Sequence, residues 1–238
     1  MDKLHPYRGV HYNKDKIGDL SLVITQPYDK ITPQMQEVYY NKSPYNVVRL
    51  ILGKREPGDD ENNNQYSRAR EYLKKWIGKG ILIRDSLPSL YASYQRFELN
   101  GKKYTRKGFV ALLNIELFAG DVKAHEKTLA GPKADRLNLM RATSSQFEHI
   151  FMLYPDPNKD SLNSLDKATD GRVPDYSAFD EYGVEHILWQ IKDEKLIKEL
   201  KEIVEPQKLF IADGHHRFET SMNYMREMQP YLHEFEPP

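Results

Sequence analysis

Leu209-Phe-Ile-Ala-Asp-Gly-His-His-Arg-Phe-Glu-Thr-Ser-Met-Asn-Tyr-Met225 is the stretch whose reading decides the fold. Lys208 to Ala212 is a short apolar run with turn residues behind it, and Phe218, Ser221, Met222 and Met225 then recur at helical spacing. The period thus changes from strand to helix across Asp213-Gly214. A helix beginning there turns its unpaired backbone N–H groups and the positive end of its dipole toward whatever sits above His215, His216 and Arg217. That arrangement favours an anion, and phosphate in particular. The bland alternative is an ordinary helix start with solvated polar residues.

Working outward, the preceding segments alternate between the two periods. Leu20 to Thr25 reads as a first strand stopped by Pro27, and Thr32-Pro33 as a helix entry, with Thr32 the N-cap and Pro33 the first helical residue. Tyr45 to Leu52, rich in β-branched and apolar residues, reads as a buried strand. Ala69, Tyr72, Leu73, Trp76 and Ile77 mark an amphipathic helix over 66–77 with Trp76 in the core. Leu90 to Leu99, Asn100-Gly101 and Lys103 to Phe118 read as a long β-hairpin, because Asn-Gly suits a tight type I′ turn. Pro132 opens a helix carrying Leu137, Leu139 and Met140; 149–154 and 184–191 read as strands and 194–203 as an exposed helix. The polar tract 158–182 reads as a surface excursion. Mixed strands and helices with at least one antiparallel hairpin give an α+β class, read as one domain over 1–238.

Composition narrows the function. Lys plus Arg and Asp plus Glu both total 35, so the formal net charge is zero and no global basic field draws the chain to nucleic acid. There is no cysteine, which excludes disulfides, zinc–thiolate sites and thiol nucleophiles. No segment approaches the roughly 20 apolar residues of a membrane span, so the expectation is a soluble, cytoplasmic protein.

A second polar cluster, Lys123-Ala-His125-Glu126-Lys127-Thr128 continuing to Lys133 and Arg136, offers candidate partners for the Gly214 corner. Lys127, Lys133 and Arg136 can complete a phosphate clamp, since phosphoryl transfer depends chiefly on positioning and charge neutralisation. A solvated loop with structural ion pairs is the alternative. Asp213 can serve as general base, as a Mg²⁺ ligand beside a phosphate, or simply as the cap of the following helix. His5, Arg8 and Asp29 lie beside Pro and Tyr, where turns are the usual explanation. His149, His186 and His233 show no clustered partners in the sequence. Zinc held by His125, His215 and His216 has no supporting spacing.

Taken together, His5-Pro-Tyr-Arg-Gly9, Gln26-Pro-Tyr-Asp29, His125-Glu-Lys-Thr128 with Gly131-Pro-Lys-Ala-Asp-Arg136, and Ala212-Asp-Gly-His-His-Arg-Phe-Glu219 make the chain resemble, over nearly its whole length, an uncharacterised and mostly bacterial family, domain of unknown function 1015. Members of that family usually extend well past the last motif, so the resemblance implies a truncated member. Asp213-Gly-His-His-Arg217 also resembles, over a few residues, the Gly-x-x-Arg signature of the ParB and sulfiredoxin superfamily, in which the glycine turn holds nucleotide phosphates. Sulfiredoxins carry a cysteine where this chain has His215; archaeal free-serine kinases of that superfamily carry an Asp-Gly-His-His-Arg type motif. The resemblance implies binding of ATP or ADP with Mg²⁺ and phosphotransfer to a small hydroxylated acceptor such as an amino acid. In that reading Gly214, His215, His216 and Arg217, with His125, Lys127, Lys133 and Arg136, hold phosphate, while Asp213, Glu126 and His216 are the acid–base groups. The other readings are a non-catalytic nucleotide or small-ligand sensor and a ParB-like nucleic-acid-binding or nuclease module.

Overall fold

The computed structural model describes residues 2–117, 122–123 and 130–234. Its largest sheet is antiparallel, in the order β5 (Lys102–Val110), β4 (Leu90–Leu99), β10 (Glu185–Ile191), β9 (Tyr176–Phe179). Asn100 and Gly101 turn the β4–β5 hairpin at φ 52° and 73°, the left-handed pair a type I′ turn demands. The second strand ends at Val110 rather than at Phe118, and a separate two-residue strand β6 (Leu112–Leu113) then pairs with β1 (Leu4–His5). Leu90, Ala92 and Tyr94 share a face with Ile187, Trp189 and Ile191, and that face packs on α6 (Asp160–Thr169) and α7 (Glu194–Val204). Tyr94 and Trp189 meet edge to face at 5.1 Å. The helix at 194–203 is therefore amphipathic, with Ile197, Leu200 and Val204 buried.

The decisive stretch folds as read. β11 (Leu209–Asp213) runs parallel to β7 (Val122–Lys123) and antiparallel to β8 (Phe151–Leu153), and α8 (His215–Met228) leaves directly from Gly214. Leu209, Ile211 and Phe218 bury themselves with Leu4, Val122 and Val204, while α8 packs on α5 (Ala130–Thr143), whose first turn contains Pro132. A third core gathers Trp76 of α4 (Gln65–Gly78), Leu50 and Ile51 of α3 (Val48–Ile51), Ile81, and Leu82 of β3 (Leu82–Arg84), which pairs with β2 (Val10–Tyr12). Helix α2 (Pro33–Lys42) starts where expected, the Thr32 hydroxyl accepting from the Met35 N–H at 3.2 Å.

Three expectations are corrected. Tyr45 to Leu52 is not a strand: a turn leads into the four-residue helix α3, and Asn46, fully buried, accepts from the Val48 N–H at 3.0 Å. Its side-chain amide donates to the carbonyls of Leu22 (2.8 Å) and Ile24 (3.3 Å), and the Val47 N–H donates to Val23 O at 2.9 Å. Those bonds take the backbone groups that Leu20 to Thr25 would need for a ladder, so this segment is a short 3₁₀ turn at Leu20–Leu22 and then irregular chain rather than a strand. The 158–182 tract holds α6 and β9, and Leu165 is 1% exposed. Its polar composition hid a packed helix whose buried face is Leu165 with the small Ser161, Ser164 and Thr169. Among the described residues no helix is long and apolar enough to cross a membrane.

Candidate functional site

Gly214 sits at φ +95°, a conformation costly for any residue with a Cβ, and the Arg217 side chain folds back over it. A Cβ at this position would lie 3.0 Å from the Arg217 guanidinium carbon. The Arg217 guanidinium, 11% exposed, donates to the carboxylate of Asp213 and to the backbone carbonyl of His149. Those bonds account for two of the five N–H donors a guanidinium carries. Asp213 itself is 58% exposed.

Arg217 lines a cleft of about 810 Å³. One wall is the free face of the large sheet, with Gln95, Phe97, Arg106 and His186; the other is built from 23–27, Val47 and Ile51, and Glu148 and His149 ahead of β8. His149 is exposed on the wall of this space, and desolvation by the chain around it, then the Arg217 charge, hold its imidazole below the usual pKa, a shift that solvent screening weakens.

Behind the cleft, Arg136 is 7% exposed and paired with Asp135 (2.6 Å) and Glu148 (3.5 Å), its guanidinium stacked 4.0 Å from the Tyr28 ring. Glu148 also accepts from the Tyr28 N–H at 2.9 Å. Burial raises the Glu148 pKa against the opposing pull of Arg136 and Arg217. A small cavity of about 30 Å³ is shared by Arg136, Glu148 and Arg217. Three of the four sequence motifs therefore meet here: Gln26 to Asp29, the Arg136 end of the second cluster, and the Gly214 corner.

The remaining candidates go elsewhere. Lys133 pairs with Glu219 at 2.8 Å, tying α5 to α8. His215 is buried beneath the corner and His216 half-buried on it. His125, Glu126 and Lys127 lie outside the described residues. The first motif belongs to a different network: the Gly9 N–H donates to the Tyr91 hydroxyl at 2.8 Å, where a Cβ would come within 2.5 Å, and Tyr91 donates to Asp85 at 2.5 Å. Arg8 donates to the Asp85 carbonyl at 2.7 Å, and His11 bonds the Asp85 carboxylate at 2.9 Å. His5 bonds the Asp2 carbonyl at 3.0 Å. Among the described residues no group of three His, Asp or Glu side chains is placed to hold a metal.

Sequence reasoning passed over His149, Arg106 and His186. For Arg106 a signal existed, since the Asn100-Gly101 turn sets Leu99 opposite Lys102 and, counting back, Gln95 opposite Arg106. His186 joins them only through the long-range pairing of β10 with β4.

The fold and site define an α+β protein with a small-molecule-sized cleft at a strand–glycine–helix corner. The chain belongs to the family described as "Protein of unknown function (DUF1015)", whose model matches residues 4–237. No curated protein and no solved structure matches it significantly.

Proposed function

We propose that the cleft binds a nucleoside phosphate at the Gly214 corner and that the protein transfers a phosphoryl group to a small hydroxylated acceptor such as an amino acid. The observation that supports this most is Arg217, held by Asp213 and the His149 carbonyl on the wall of an 810 Å³ cleft, at the head of α8. That volume lies within the roughly 300–1,000 Å³ of small-molecule sites. The remaining guanidinium donors suit phosphate oxygens, the helix head adds positive potential, and the Phe97 and Tyr182 rings offer surface for a base. In the transfer the acceptor oxygen bonds to phosphorus as the bond to the leaving nucleoside diphosphate breaks, and the acceptor's proton passes to Asp213 or Glu126. Mg²⁺ arriving on the phosphates would neutralise their charge, with Asp213, 58% exposed beside Arg217, a carboxylate able to meet it.

Isothermal titration with ATP, ADP and CTP tests the binding step. Arg217→Ala should weaken binding roughly 10- to 100-fold, the loss of a charge-assisted pair. No binding to the wild-type protein, or unchanged affinity in the variant, overturns the reading. One observation favours a second reading, a non-catalytic sensor: Asp213, the proposed base, is already ion-paired with Arg217. Nucleotide affinity with no ADP formed from ATP across a panel of hydroxylated amino acids would select the sensor.

A further inference from the structure

The sheet wall of the cleft carries a polar row that runs across three strands. Arg106 on β5, Gln95 on β4 and His186 on β10 are direct cross-strand neighbours on one face. Arg106 donates to the Gln95 side-chain oxygen at 3.1 Å, Gln95 meets His186 Nδ1 at 3.2 Å, and His186 Nε2 meets Asp180 at 3.0 Å. The chain of bonds has one consistent polarity. Asp180 is nearly buried and also accepts from the N–H groups of Tyr182 (2.9 Å) and Val184 (3.0 Å); although burial opposes it, these bonds hold its pKa below the usual range. As a carboxylate it accepts a hydrogen bond from the Nε2–H of His186, so in the neutral ring Nδ1 accepts from the Gln95 amide and the Gln95 oxygen turns to Arg106.

Arg106 is thereby held, although it is an exposed residue on an edge strand. Its guanidinium also lies over two rings, 5.7 Å from Phe97 and 5.4 Å from Phe151. Phe151 belongs to the other sheet, where it sits opposite Asp213 in the β8–β11 ladder. A cation fixed by a hydrogen-bond relay and two aromatic faces, on the wall of a cleft and beside the corner that carries Arg217, is prepared for a ligand. A solvated edge arginine needs none of these supports.

We propose that Arg106 is a second oxyanion-binding residue of this cleft, so that its ligand presents two oxyanions, one to Arg217 and one to Arg106. Gln95, His186 and Asp180 are positioning residues for it. The inference rests on the reading of Arg217 as a phosphate group's partner. The second oxyanion is either a carboxylate or a further phosphate, and both offer the bidentate edge a guanidinium prefers.

Two matched pairs of probes test it by titration calorimetry on the full chain: glycerol 3-phosphate against 3-phosphoglycerate, and orthophosphate against pyrophosphate. The wild-type protein should prefer the two-oxyanion member of one pair by roughly 10-fold or more. Arg106→Ala should erase that preference while leaving the single-oxyanion probe unchanged, and Arg106→Lys should restore part of it. The pair that responds names the second group. Equal affinities within both pairs, or a preference that survives in Arg106→Ala, overturns the subsite and leaves Arg217 as a phosphate partner intact. Failure of every probe to bind overturns both. Because Arg106 is an exposed edge-strand residue, its variants should lose no more than a few degrees of melting temperature with the ring contacts, and circular dichroism checks that the fold is unchanged.

Discussion

Arg136 and Arg217 stand on facing helices, share one small cavity, and differ in what their charge meets. Arg136 is enclosed: Asp135, Glu148 and the Tyr28 ring surround its guanidinium. Arg217 is anchored by an exposed carboxylate and a carbonyl and opens onto the cleft. Two arginines that look alike as motif residues thus differ in surroundings, one enclosed in packing and the other on the cleft wall. Removing Arg136 leaves Glu148, already disfavoured as an anion by burial, without its counter-charge. Arg136→Ala should therefore cost about 3–5 kcal/mol of folding stability, the penalty for breaking a buried pair. Urea denaturation measures it. A loss below about 1 kcal/mol would dissolve the distinction between the two residues.

The next test acts on the Arg217 side alone. Gly214→Ala places a Cβ at φ +95° and 3.0 Å from the Arg217 guanidinium. Left-handed backbone strain of this kind costs about 1–3 kcal/mol, and the arginine must also shift. The variant should be destabilised less than Arg136→Ala while losing phosphate affinity as fully as Arg217→Ala does. If affinity survives, Arg217 does not depend on the glycine for its pose.

The same contrast shows what a sequence makes legible. The Gly214 corner, the Asn100-Gly101 hairpin and the Thr32-Pro33 helix entry are each written in a few adjacent residues, because turn and cap chemistry is local. Tyr45 to Leu52 misleads because a short apolar run cannot be assigned to strand or helix from its period alone; the fate of Asn46 as a bridge to Leu22 and Ile24 settles it, and that bridge is long-range. The site divides in the same way. Arg217 is legible from its place after a glycine turn, whereas His149 and His186 gain their surroundings only when separate strands are laid side by side. Arg136 reads as a phosphate clamp from its neighbours in sequence; its enclosure by Tyr28 and Glu148 is visible only in three dimensions.

The smallest effect separates the two arginines most finely. His149 has its pKa lowered from 6.5, first by burial and then by Arg217, so the folded state binds its proton less readily than the unfolded chain does. Its contribution to stability is thus fully present above pH 6.5 and is lost as pH falls through the lowered folded value. His149→Asn should remove that portion of the decline, measured as the difference between variant and wild-type urea midpoints across the window, since other histidines titrate in both proteins. Arg217→Ala should raise the His149 pKa toward 6.5 in an NMR titration of the imidazole, because one of the two causes is gone. Arg136 does not figure among those causes and is screened behind Glu148, so Arg136→Met, which keeps the side-chain volume, should leave the His149 titration where it was. An equal shift from both substitutions would mean that the cleft feels the two charges alike, and that enclosure by Asp135, Glu148 and Tyr28 does not withdraw Arg136 from it.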